Sequence, residues 1–186
     1  MKRADSMKNE FSEILESARL LIVPFSEKYL TPRYVAWLND PELMRYSEQR
    51  HKIHTIESCE LYWRSFLNTS NMLWAIEANV DGLGHIGNIN AYIDNRNKIA
   101  DIGILLGEAK ARGCGYGYEA FKSVAEYLFK SMKIRKITAG TVSINSSMIK
   151  LMKKMKMKED GIRKRHYFIE ENEVDIIHMA LFQEDM

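Results

Sequence analysis

The stretch Arg112-Gly-Cys-Gly-Tyr-Gly117 constrains this chain most, because of what lies on either side of it. Before it, Ile99-Ala-Asp-Ile-Gly-Ile-Leu-Leu106 is a short apolar run that predicts a strand. After it, Tyr118-Glu-Ala-Phe-Lys-Ser-Val-Ala-Glu-Tyr-Leu-Phe129 has the spacing of an amphipathic helix. A backbone that leaves a strand, turns through glycines and enters a helix presents unpaired N–H groups at the positive end of the helix dipole. Such a place binds anions, phosphates above all. Gly113, Gly115 and Gly117 carry no Cβ to hold a diphosphate off the backbone. The spacing is neither of two common phosphate fingerprints. A Walker loop ends in Gly-Lys-Ser/Thr and a dinucleotide turn reads Gly-x-Gly-x-x-Gly, whereas here the glycines fall at every second residue.

The segments around this unit alternate between strand and helix signals. Residues 19–25 read as a strand limited by Pro24. Thr31-Pro32 starts a helix with Tyr34, Val35, Trp37 and Leu38 as its apolar stripe, and Asn39-Asp-Pro41 stops it. Thr55 caps a second helix, with Ser58 at the capping-box position and Ile56, Leu61, Trp63, Phe66 and Leu67 as buried positions. Residues 73–77 and 85–93 read as strands joined at Asp81-Gly82, and 135–142 as a further strand. Residues 145–156 form a helix with Met148, Leu151, Met152 and Met155 on one side, and 167–169 with 174–181 form a final hairpin. Residues 1–18 are polar and read as a tail or a short extra helix, leaving 19–186 as one domain. The strand–helix–strand unit over 99–142 predicts a parallel pair with a right-handed crossover, and the other neighbours are hairpins. A mixed, mostly antiparallel sheet flanked by helices follows.

Composition narrows the class. A chain of 186 residues, 46% hydrophobic and 28% charged, has the make-up of an ordinary soluble globular protein with one domain. No run approaches the ~18 apolar residues of a membrane helix. The start Met1-Lys-Arg-Ala-Asp-Ser lacks an apolar signal core, so a cytoplasmic protein without membrane contact is expected. Cys59 and Cys114 make no metal-ligand pattern with the histidines, which suits a reducing compartment and implies no metal. The net charge of +2 is uneven: residues 122–165 carry 13 Lys/Arg against three acids, a local +10. That segment could face a polyanion, either coenzyme A or nucleic acid, or simply be a solvated helix face. Nucleic acid is disfavoured, because the aromatic residues expected between the charges are missing. Lys153, Lys154, Lys156 and Lys158 give their helix a cationic look, but its Met and Leu positions read as core.

Arg112, Gly115 and Gly117 also stand in the register Arg/Gln-x-x-Gly-x-Gly/Ala. On this motif the chain resembles the GNAT superfamily of acetyl-CoA-dependent N-acetyltransferases, and the element order extends the resemblance from residue 19 over nearly the whole chain. The resemblance implies a three-layer fold whose central parallel strands splay apart, with the acetyl-pantetheine arm in the gap. It implies acetyl-CoA as cosubstrate. It also implies a pyrophosphate loop formed by Arg112, Gly113, Cys114, Gly115, Tyr116 and Gly117, and backbone pairing of Ile104, Leu105 and Leu106 with the pantetheine amides. The segment Asn145-Ser-Ser-Met-Ile-Lys-Leu151 matches the family's Asn-x-x-x-x-x-Leu, which places Asn145 on the cofactor. Read by itself, Asn145 is equally a helix N-cap. The next position is often a Tyr that protonates the leaving thiolate, and here it is Met152. This departure points to the branch resembling the ribosomal-protein N-terminal acetyltransferases (RimL-like). It leaves Ser146, Ser147 or water as proton source, with Ser146 taken as the catalytic candidate.

Attack on a thioester requires a neutral amine, so some group must take its proton. The family's strand often reads Ala-Glu-x-Gly; here it is Ala100-Asp-Ile-Gly103. Alternation with the buried Ile residues turns Asp101 to the other face, towards an acceptor cleft or towards solvent. His85 and His178, both in predicted strands, are alternative bases or merely packed residues. The polar segment Tyr46-Ser-Glu-Gln-Arg-His51 is rich in functional groups for a connector, and the family places this region over the acceptor. Glu48, Arg50, His51 and His85 are therefore the expected acceptor contacts. The reading is acetyl transfer to a primary amine, on a small molecule such as an amino sugar or, alternatively, on a protein N-terminus. A non-catalytic coenzyme A- or nucleic-acid-binding module is the competitor from another class. A homodimer and the identity of the acceptor stay open.

Overall fold

The computed structural model describes residues 13–80 and 82–186. Its strands are Leu15–Glu16 (β1), Leu20–Pro24 (β2), Met72–Ala78 (β3), Gly84–Asp94 (β4), Ile99–Leu106 (β5), Lys136–Val142 (β6), Lys158–Ile169 (β7) and Asn172–Phe182 (β8). Its helices are Pro32–Leu38 (α1), Pro41–Met44 (α2), Ile56–Arg64 (α3), Tyr116–Lys130 (α4) and Ser146–Lys154 (α5). Side chains mark the helix starts. Thr31 accepts from the Tyr34 amide, Asp40 from Glu42 and Leu43, and Thr55 and Ser58 close a reciprocal capping box.

One sheet runs in the order β1-β2-β3-β4-β5-β6-β8-β7. Every neighbouring pair is antiparallel except β5 and β6, which α4 connects as a parallel crossover. The sheet separates the helices into two layers. On one face Trp74, Ile89, Ile102 and Ile137 pack against Phe121, Val124 and Leu128 of α4 and Met152 of α5. Each such fully buried side chain contributes about 1.5–3 kcal/mol relative to exposure. On the other face Leu73 and Ala75 meet Tyr34 and Trp37 of α1 and Cys59 of α3. Past the edge of α1–α3 this second face is polar. That open floor matters for the site.

Several expectations change. Leu15–Glu16 is a strand paired with Leu21 and Ile22, not a tail or helix, and residues 1–12 lie outside the described residues. Asp81 of the expected hairpin turn also lies outside them, while Gly82 has a φ of 70°. Asp40 and Pro41 end one helix but start another, because Asp40 is itself an N-cap. In α3 the buried position is Cys59, 1% exposed, whereas Leu61 is 70% exposed on the outer side. The final hairpin is far longer than its apolar residues indicate: β7 begins at Lys158. Its charged residues leave no alternating pattern, and backbone pairing to β8 holds the edge strand, with irregularities between Glu159 and Gly161 and between Arg163 and Tyr167.

Candidate active site

After β5 the chain makes a short 3-10 turn over Ala109–Ala111 and enters α4 through two left-handed glycines, Gly113 at φ 76° and Gly115 at φ 84°. Only glycine adopts that conformation freely. Gly115 is the N-cap of α4 and offers no side chain to its first turn, so those N–H groups face outward. Arg112 Nη2 donates to the Gly107 carbonyl at 2.7 Å and pins the loop to its own entrance. Arg19, just before β2, reinforces it from outside. It donates to the Cys114 carbonyl at 3.0 Å, lies 4.4 Å from the centre of the Tyr116 ring and pairs with Glu119 at 2.7 Å. Burial by itself would raise the Glu119 carboxyl, yet hydrogen bonds from Ser17 and Arg19 hold it below the usual range.

The parallel pairing of β5 and β6 ends at Asp101 opposite Thr138, while β5 continues to Leu106 along β4. The strands thus part in the middle of the sheet, and a cleft of about 850 Å³ opens there. Ile104, Leu105 and Leu106 line one side, Gly140 and Thr141 the other. Backbone groups on a strand edge inside a protein need partners, so this edge suits an extended amide-bearing ligand. Of the loop residues, Arg112, Gly113 and Gly117 line the cleft, and Cys114, Gly115 and Tyr116 do not. A Cβ on Gly113 would meet nothing within 4 Å, which leaves open space beside the loop backbone. Asn145 lines the cleft and is also the cap of α5: its Oδ1 accepts from the Met148 amide at 3.2 Å, and its Nδ2 donates to Thr141 Oγ1 at 3.0 Å. Ser147 is on the wall, and Ser146 is exposed at the first helical position without lining it.

From the splay the cleft passes onto the polar face of the sheet. Asp101 lies on that face, between the cleft-lining Tyr92 across the strand pair and Gly103 along β5, though it is not itself a lining residue. Thr138 Oγ1 donates to its Oδ2 at 2.6 Å. The residue keeps contact with solvent, yet the protein packed around its carboxyl removes enough water to push the pKa up from its ordinary value. The Thr138 hydrogen bond and the nearby His178 oppose that rise, since both favour the charged form. Tyr34 and Tyr62 also line this arm. Burial, aided for Tyr62 by the Tyr92 hydroxyl 3.4 Å away, drives both phenols above their ordinary range and keeps them neutral.

The expected acceptor residues are placed differently. Glu48, Arg50 and His51 lie on a 3-10 turn capped by Ser47, but the cleft is lined by their neighbours Ser47, Gln49, Lys52 and His54. Arg50 pairs with Glu48 at 2.8 Å and donates to the Phe168 carbonyl at 3.1 Å, which ties the turn to β7. His85 is off the wall, in a box formed by Tyr29, Tyr34 and Trp37. Sequence reasoning missed Arg19, Thr138 and Asn88. Arg19 meets the loop only through folding, 95 residues before the Cys114 carbonyl it bonds, so no local pattern points to it. The basic segment does not form one open face: Lys136 pairs with Asp160, Lys158 with Asp185 and Lys164 with Asp175.

Comparison with known proteins agrees with this fold. The family model for the acetyltransferase (GNAT) domain matches residues 19–158. An N-acetyltransferase 9-like protein of Nematostella vectensis is 23% identical over 158 residues, 80% of this chain and 79% of that protein. Spermidine N-acetyltransferase from Vibrio cholerae, solved with CoA and spermine, superposes with a TM-score of 0.80 at 16% identity, covering 91% of this chain and 98% of the other. The ribosomal L7/L12 alpha-N-protein acetyltransferase RimL, solved with coenzyme A, gives 0.80 at 15% identity over 94% and 100%.

Proposed function

Because the chain belongs to the GNAT acetyltransferase family, an acetyl-CoA-dependent N-acetyltransferase family, we propose that its acceptor is the primary amine of a small polar molecule such as an amino sugar. The observation that carries the transferase reading is the unpaired edge of β5, which opens between an anion loop and a polar floor. The residues fit coenzyme A: the α4 entrance and Gly113 receive phosphates, and Ile104–Leu106 offer backbone to the amides. Acetyl-CoA, when bound, supplies an activated thioester.

The chain's own residues have two tasks. Asp101, held by Thr138, accepts the amine's proton directly or through a water, and its raised pKa makes it a better base than an ordinary surface carboxylate. Ser147, on the wall, takes over the proton-supplying role assigned to Ser146 from the sequence, with water as the other source. Met152 is 0% exposed inside the core and takes no part. Alignment in the cleft contributes much of the remaining rate.

The acceptor arm favours a hydrogen-bonding molecule that carries few charges. Ser47, Gln49, Tyr62 and Asn90 line it, and Glu42 is the one carboxylate among the described lining residues. A polyamine carries several ammonium groups and would find too few counter-charges. Both cysteines are free, which suits a reducing compartment such as the cytoplasm. The test is to supply acetyl-CoA with glucosamine, spermidine or short peptides and follow the released thiol. Glucosamine should turn over and spermidine poorly. Turnover of peptides alone would move the acceptor to a protein N-terminus. No thiol from any amine, with coenzyme A still binding by calorimetry, would leave a non-catalytic binding protein.

A further inference from the structure

Asn88 is 6% exposed, belongs to β4 and lines the cleft. It is the buried polar residue of the described core. Its two amide atoms have different fates. Oδ1 lies 2.9 Å from His85 Nε2. In this orientation the oxygen accepts from Nε2, in the tautomer that carries its hydrogen there. Nδ2 has no hydrogen-bond partner among the described residues. A buried donor without a partner is costly, so each one calls for a reason, such as a functional role or a molecule that completes it.

His85 pairs with one end of the amide and leaves the other. Its ring is 4.8 Å from that of Tyr29 and 4.9 Å from that of Trp37, off the cleft wall. Burial there pulls its pKa down, so the imidazole stays neutral. With the Nε2–H tautomer the oxygen of Asn88 is paired with His85, and the NH₂ is the end of this cleft-lining residue left without a partner among the described residues. The surroundings assign this donor to the acceptor rather than to coenzyme A. Tyr34, Leu73 and Cys59, which share the wall with it, belong to the α1–α3 face of the sheet. Asn88 pairs with Leu105 from the β4 side, whereas the free edge of β5 looks towards β6.

We infer that Asn88, oriented by His85, donates a hydrogen bond to an oxygen atom of the acceptor, so that the enzyme selects amines that also carry a hydroxyl or carbonyl oxygen. The inference rests on the acetyltransferase reading and narrows its substrate class. A site built around a buried hydrogen-bond donor rejects analogues that leave the donor unpaired. An ammonium group cannot replace the oxygen, since it offers no lone pair. Asn88 is a specificity residue here, and His85 is a positioning residue that acts through it.

The test compares glucosamine with cyclohexylamine, a ring amine without oxygen, by kcat/KM from thiol release. The parent should prefer glucosamine by about 10- to 100-fold, in line with the loss of one buried hydrogen bond. Asn88→Ala should remove most of that preference by lowering the glucosamine value while leaving cyclohexylamine nearly unchanged. His85→Phe keeps an aromatic ring in the box but not the N–H, and should lower the preference part of the way. A parent without preference, or an Asn88→Ala loss equal for both amines, overturns the inference. Should neither amine release thiol, the small-amine acceptor reading fails on its own. Asn88 is then read by binding, from its side-chain amide signal in ¹⁵N-labelled parent, identified by its loss in Asn88→Ala. A shift on adding glucosamine but not cyclohexylamine supports the donor role, and no shift refutes it.

Discussion

Gly113 and Gly115 form a matched pair that separates the backbone's needs from the ligand's. Both hold left-handed φ values, 76° and 84°, and only Gly113 lines the cleft. A Cβ on Gly113 meets nothing within 4 Å, and one on Gly115 meets Arg19 Nη2 at 3.5 Å, an ordinary contact. Neither alanine would clash, so the stability cost of each is the left-handed backbone alone, about 1–2 kcal/mol. In a domain of this size that lowers Tm by about 2–8 °C. Gly113→Ala, however, also puts a methyl group into the space where a diphosphate would approach the backbone. Its Kd for acetyl-CoA should rise tenfold or more, about 1.4 kcal/mol, while that of Gly115→Ala should rise less than about threefold. Gly117 is a poorer probe: its Cβ would stand 3.3 Å from both Leu106 Cδ1 and Leu151 Cδ1, so packing and binding would change together. Calorimetry and thermal melts on the two alanine variants decide the matter. Equal affinities for parent and Gly113→Ala would refute the placement of the pyrophosphate beside that residue.

Three further outcomes are expected. Asp101→Asn keeps an acceptor for Thr138 but no base, so turnover should fall about 10²–10⁴-fold near neutrality and recover in part at high pH, where free amine is plentiful; superimposable pH–rate profiles would remove Asp101 from the mechanism. Met152→Leu conserves volume in the core and should leave turnover within a few-fold of the parent, so a hundredfold loss in a folded variant would show a role for this position. Glu119→Ala strands Arg19 and Ser17, at a cost of about 2 kcal/mol, or about 4–8 °C in Tm. Because the folded-state pKa of Glu119 is depressed, its contribution is present above the ordinary carboxylate value and lost as pH falls through the folded one. The Tm difference between parent and Glu119→Ala should therefore shrink in acid, and a constant difference would argue against the charged network.

What could be read in the chain was local. Glycines between an apolar run and an amphipathic helix demand a turn with positive φ at a helix entrance, whatever the rest of the protein does. Thr55 with Ser58, and Asn145 before an apolar helix, announce caps for the same reason: the partners are three residues away. Met152 reads as core from its helical spacing, and it is core. The rest depended on residues far apart in sequence. Nothing near Arg19 signals that it supports a loop 95 residues later, and nothing near Asp101 signals Thr138, reached only across the parallel pair. The register of β4 against β5 made Asn88 a cleft residue, while the aromatic box took His85 off the wall. The run at 158–166 is charged at most positions because an edge strand exposed on both faces needs no apolar alternation, so only its ladder to β8 makes it a strand. Propensity, caps and turns act over a few residues and are written in the chain; the splay, the polar floor and the partners of a buried side chain exist only once strands have found their neighbours.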